Sequence, residues 1–183
     1  MSMKKYLILI IISCLTAVGH AQFTRARLQA TGLTCAMCSN AVNKALQQVP
    51  FIEKVYSDIK NSAFDIQFKS GQLVNIDELR LAVEDAGFSV GKLSLTGHFN
   101  DLKIDNDAHV KIGNDNFHFL KVSSQVLDGE KTITVVDKDF LTSKEKKKYD
   151  NATDKSCYKD GKAADCCVRE GVPKDARIYH VTI

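Results

Sequence analysis

The 183-residue sequence has no tryptophan, only two prolines and little net charge, with 25 Lys+Arg against 22 Asp+Glu. Near-balanced charge excludes the basic footprint that nucleic-acid binding demands. A hydrophobic share of 44% beside 26% charged residues excludes wholesale disorder and a collagenous repeat. Beyond the N-terminus, no run is long and apolar enough to cross a bilayer. What remains to be explained is six cysteines.

Residues 1–21 carry Lys4 and Lys5, a short apolar run from Tyr6 to Ile12, and small residues at Gly19 and Ala21. This pattern predicts a secretory signal cleaved after Ala21 and places the chain in the periplasm or outside the cell. The run is too short to favour a membrane anchor, and Ile12-Ser13-Cys14 offers a competing lipoprotein site at Cys14. Cleavage removes Lys4, Lys5 and Cys14, which leaves 23 basic and 22 acidic side chains and five cysteines. Exported thiols tend toward disulfides unless a metal or a reductant holds them, so an odd cysteine needs a reason.

Residues 23–95 change period repeatedly. Ala26, Leu28 and Ala30 alternate as a half-buried strand, then Val42, Leu46 and Val49 follow helical spacing up to Pro50. Val55, Ser57 and Ile59 alternate, Asn61-Ser62 turns the chain, and Phe64, Ile66 and Phe68 alternate again. Asn75 with Glu78 reads as a helix cap; Ile76, Leu79, Val83 and Ala86 share one face, and Gly87 closes the helix. Phe88, Val90 and Leu93–Leu95 make a last strand. The order is β-α-β-β-α-β, a ferredoxin-like unit.

Residues 96–183 read as a second, β-rich domain, punctuated by Gly97, Gly113 and Gly129, with strands at 102–104, 117–122, 132–136 and 177–183. Thr142-x-x-Glu145 opens a short lysine-rich helix, a second helix holds Cys166 and Cys167, and the whole predicts a small OB-like barrel. The fold class is therefore α+β, in two domains, 22–95 and 96–183. The lysine run sits in a half with 15 basic and 15 acidic groups and reads as a solvated helix face.

The chemistry concentrates in Gly32-Leu33-Thr34-Cys35-Ala36-Met37-Cys38, between the first strand and first helix. Two thiols three residues apart converge on one ion, and the helix start favours the thiolate form. Two sulfur ligands suit Cu(I), Hg(II) or Ag(I), whereas closed tetrahedral Zn(II) wants two more. A thiol redox centre and a structural disulfide remain alternatives. A thioredoxin-type enzyme places a proline loop against its thiols, and Pro50 and Pro173 are poorly placed for that.

This stretch resembles the heavy-metal-associated domain of copper chaperones, metal-transporting P-type ATPases and periplasmic mercury-binding proteins. The family loop is G-M-T-C-x-x-C, and Glu84-Asp85-Ala86-Gly87-Phe88 resembles the end of its second helix and the aromatic loop beside the metal. The resemblance covers residues 26–95. It implies that Cys35 and Cys38 are the metal thiolates, that Thr34 braces the loop, and that Phe88 shields it. Leu33 replaces the family methionine as an apolar packing anchor, and Met37 is filler between the thiols.

Cys157, Cys166 and Cys167 remain, with His98, His109, His118 and His180 in the same half. A disulfide from Cys157 to Cys166 or Cys167 is one expectation. A second metal site from Cys157, Cys166, Cys167 and His180 is another, with His118 and His180 the histidines placed on predicted strands, and intermolecular pairing is the third. The sequence thus predicts a non-enzymatic, exported metallochaperone that sequesters or hands over Cu(I). Its partner would be a metal donor or acceptor such as a transporting ATPase or efflux component, with no nucleic acid and no membrane span after cleavage. The rivals are a thiol–disulfide oxidoreductase using Cys35 and Cys38, and a protein-interaction module that binds no metal.

Overall fold

A computed structural model describes residues 22–183. The expected export signal, residues 1–21, and Cys14 within it lie outside the described residues. Eight strands, β1 (Gln22–Thr31), β2 (Ile52–Asp58), β3 (Ala63–Phe68), β4 (Ser89–Ile104), β5 (Ala108–Ile112), β6 (Asp115–Phe119), β7 (Gln125–Val135) and β8 (Ile178–Thr182), form one sheet. Their order is β2-β3-β1-β4-β7-β8-β6-β5. Helices α1 (Ala36–Gln47) and α2 (Ile76–Asp85) belong to the first half. Three single-turn helices, α3 (Ser143–Lys146), α4 (Cys157–Asp160) and α5 (Asp165–Val168), belong to the second. Among the described residues no helix is long and apolar enough to cross a membrane.

The first half has the expected βαββαβ order. Ala26, Leu28 and Ala30 point into the core with Phe64, Ile66 and Phe68, while Arg25 and Arg27 take the other face. Val42 and Leu46 of α1, and Ile76, Leu79 and Val83 of α2, close over the inner face. Each such fully buried aliphatic side chain contributes about 1.5–3 kcal/mol. The Asn75 side chain accepts hydrogen bonds from the Asp77 and Glu78 amides, so the predicted cap starts α2. Ile59 departs from expectation. Asp58 accepts a hydrogen bond from the Asn61 amide and turns the chain into a 3-10 turn, which leaves Ile59 exposed rather than at the end of a strand.

The second half does not form a separate barrel. β4 runs for 16 residues straight through the expected boundary at 95/96 and pairs with β1 on one side and β7 on the other. Gly97 lies mid-strand, opposite Phe23 and Lys131, where a strand end was expected. The remaining strands extend the same sheet, whose edges are β2 and β5, so the sheet stays open.

The inner face continues through Phe99, Phe117, Phe119, Ile133, Tyr179 and Val181, in one core with the first half. On the outer face, Ser94 pairs with Thr134 at 3.0 Å and Thr96 with Thr132 at 2.8 Å. Around β6 and β8 that same face turns from hydroxyls to histidines, and α4 and α5 stand nearby.

Arg177 ties the halves together. Its guanidinium donates to Asp77 of α2 at 2.9 Å and to Asp137 at 2.9 Å, and lies over the Tyr179 ring.

Candidate metal centre

Cys35 is the N-cap of α1, in extended conformation, so its thiol stands before the helix and Cys38 occupies the first turn. Gly32 supplies the left-handed turn that starts the loop, with φ +84, and a Cβ there would lie 3.7 Å from the Phe88 ring. Leu33 packs against the core as the loop's apolar anchor. Met37 is 83% exposed between the thiols, which fits filler.

The Cys35 and Cys38 sulfurs lie 3.1 Å apart, both free, with Thr34 Oγ1 4.0 Å from Cys38 Sγ. Two sulfurs on one ion need a separation of roughly 3.8–4.6 Å, from bond lengths near 2.3 Å. The 3.1 Å spacing is shorter than that, so holding an ion requires the exposed Cys35 thiol to move outward.

The Cys38 thiol is held below its ordinary pKa by hydrogen bonding to the Cys35 thiol and then to the Thr34 backbone. The thiolate form of Cys38 is thereby favoured. With Cys35→Ala the midpoint of Cys38 alkylation by iodoacetamide is expected to move to higher pH. An unchanged or lower midpoint would count against this origin.

These features define a class: a ferredoxin-like βαββαβ unit presenting a paired-thiol loop at the head of its first helix. Residues 27–89 match the family model of the heavy-metal-associated domain. A probable copper-transporting ATPase of Arabidopsis thaliana is 35% identical over 65 residues, 36% of this chain and 6% of the relative. Copper-transporting ATPase 1 of Rhizobium meliloti is 35% identical over 66 residues, 36% of this chain and 8% of the relative. A crystal structure of a copper binding domain from HMA7, a P-type ATPase, is 33% identical with a TM-score of 0.34, covering 37% of this chain and 89% of that one. The chain therefore spans less than a tenth of the length of these curated relatives.

The second cysteine group is arranged differently from the expected set. Cys157, on α4, is fully buried and lies 3.7 Å from His109 Nε2 and 3.7 Å from His118 Nδ1. Cys166 and Cys167 are neighbours on a single-turn helix but differ in burial. Cys167 is buried beside Cys157, while Cys166 is partly exposed, with its sulfur 3.6 Å from that of Cys167. All five described cysteines are free, so the expected Cys157 disulfide is absent among the described residues. His180 is buried against His118, with ring centroids 5.1 Å apart. His98, exposed on β4, stands apart from this group.

His109 escaped selection from the sequence, although a signal for it was present. Gly113-Asn114 is a two-residue hairpin turn, and counting outward from it places His109 opposite His118. The parallel pairing of β6 with β8 then sets His118 opposite His180, a row of three imidazoles across three strands. Burial, followed by the neighbouring His109 and His180, lowers His118 to about 4. Burial also lowers His109. Burial raises the Cys157 thiol.

Proposed function

We propose that this protein binds Cu(I) through the thiolates of Cys35 and Cys38 and sequesters it or passes it to a partner. The observation that carries this reading is the free thiol pair, 3.1 Å apart, on an exposed loop inside residues matching the heavy-metal-associated domain. The relatives' names support copper as the cargo. Ag(I), Hg(II) and Zn(II) are the competitors the donor set admits, and Zn(II) is the poorest fit because two sulfurs leave half its tetrahedron open.

Hand-over follows from the loop's exposure. An incoming thiolate from a partner reaches the ion while Cys35 or Cys38 still holds it, so tight binding is compatible with fast exchange. A metal-transporting ATPase or an efflux component supplies such a thiolate. The proposal includes export, supported by the pattern of residues 1–21.

The test is an anaerobic Cu(I) titration against a chromophoric chelator, run beside an insulin-reduction assay. Binding at the loop without turnover of insulin supports the proposal. Insulin reduction with no ion held at Cys35 and Cys38 would replace it with thiol–disulfide exchange.

A further inference from the structure

Far from the loop in sequence, the histidine row is built as a ligand set. His109 directs Nδ1 at Glu170 Oε2, 2.6 Å away, and His118 directs Nε2 at Asp107 Oδ1, 2.8 Å away. His180 directs Nδ1 at Asp137 Oδ1, 2.6 Å away. A carboxylate oxygen accepts, so the ring nitrogen facing it carries the proton and the opposite nitrogen presents its lone pair. Two of those lone-pair nitrogens, His109 Nε2 and His118 Nδ1, face Cys157 Sγ. One S–H proton can serve only one of them. The third, His180 Nε2, is buried and has no hydrogen-bond partner.

Distances decide what this arrangement accommodates. The Cys157, His109 and His118 donor atoms all lie within 4.8 Å of one another. A late first-row ion with sulfur near 2.3 Å and imidazole nitrogen near 2.05 Å sets its S···N separations at about 3.6–3.8 Å for tetrahedral or trigonal angles. The separations found are 3.7 Å and 3.7 Å. Imidazoles locked by carboxylates on their far side are the usual support of ligating histidines. Lys155 joins that support by donating to Glu170 and to the Asp107 carbonyl, both at 2.6 Å. Asp107, Lys155 and Glu170 also line a surface cavity with Cys166, so the groups that support the imidazoles border solvent.

We infer that His109 Nε2, His118 Nδ1 and Cys157 Sγ form a second, buried metal site for a copper or zinc ion. Sulfur beside two imidazoles matches the preferences of both ions. This inference is independent of the Cys35–Cys38 reading. Cys166 and Cys167 both lie outside this three-residue set.

The test uses the full chain carrying Cys35→Ser and Cys38→Ser, kept anaerobic. Co(II), Zn(II) and Cu(I) are added separately, with Co(II) serving as a spectroscopic stand-in. One ion per chain is expected, with a thiolate-to-Co(II) charge-transfer band that Zn(II) or Cu(I) displaces, whichever the site prefers. Further addition of Cys157→Ser or His109→Gln removes the band, whereas Cys166→Ser leaves it. Thermal unfolding guards against misfolded variants. Zn(II) should raise the transition of the parent and of the Cys166→Ser chain, and leave unshifted a Cys157→Ser or His109→Gln chain that still melts cooperatively. No stoichiometric ion in the parent, or a band lost with Cys166→Ser but kept with His109→Gln, would overturn the assignment.

Discussion

Replacing Cys35 and Cys38 together by serine is expected to remove one Cu(I) equivalent from the titrated protein and weaken binding at the loop by more than about 10³-fold, or about 4 kcal/mol. The size of the effect comes from chemistry rather than folding. Serine keeps the shape of cysteine but replaces a soft, readily ionised thiol with a hydroxyl that Cu(I) does not favour. The loop's other supports stay in place: Leu33 in the core, Gly32 in its left-handed turn, and the α1 backbone behind Cys35. Each single serine variant should lose most of the affinity, since one remaining thiolate cannot hold the ion against a competing chelator. Circular dichroism unchanged from the parent would show that the loss is local. Retention of the parent's full Cu(I) stoichiometry at near-parent affinity by the double variant would refute binding at this loop.

The second large effect concerns stability. Arg177→Met should destabilise the protein by about 3 kcal/mol, because it strands two partly buried carboxylates that the guanidinium satisfies together. Asp77 and Asp137 would each lose a hydrogen-bonding partner, and the Tyr179 ring would lose the charge stacked 4.2 Å from its centroid. Methionine retains the apolar stem, which separates lost charge pairing from lost packing. The penalty should also depend on pH. Burial pushes the Asp77 carboxyl up, but the hydrogen bonds and charge of Arg177 outweigh it and hold the group below its ordinary value. A depressed folded value means that this stability is present above the unfolded carboxylate pKa and lost as pH falls through the folded one. Urea midpoints for parent and variant should therefore converge at strongly acidic pH. A gap that stays constant down to that pH would show that the penalty is not electrostatic.

The first half of the fold was legible because its signals are local. The alternation of Ala26, Leu28 and Ala30, the Asn75 cap and the Gly32–Cys38 loop each depend on a few neighbouring residues, and each appears as read. The second half turned on long-range pairing. Gly97 was read as punctuation, whereas β1 and β7 hold it between them in the middle of β4. The Cys157 environment was illegible for a related reason. Its nearest ligating neighbours, His109 and His118, come from strands 48 and 39 residues earlier. The parallel contact of β6 with β8 that adds His180 leaves no local trace in sequence.

The unbroken course of β4 has a consequence for anyone dividing the molecule. A chain ending at residue 95 would lose the outer part of the strand that zips β1 to β7, and would turn what is left of β4 into a bare edge. Leu93 and Leu95, now fully buried, would sit on that edge beside unpaired amides and carbonyls. Such an edge invites another copy to add its own strand. The C-terminal half thus covers an edge that the thiol-loop unit alone would expose, which guards it against pairing with another copy.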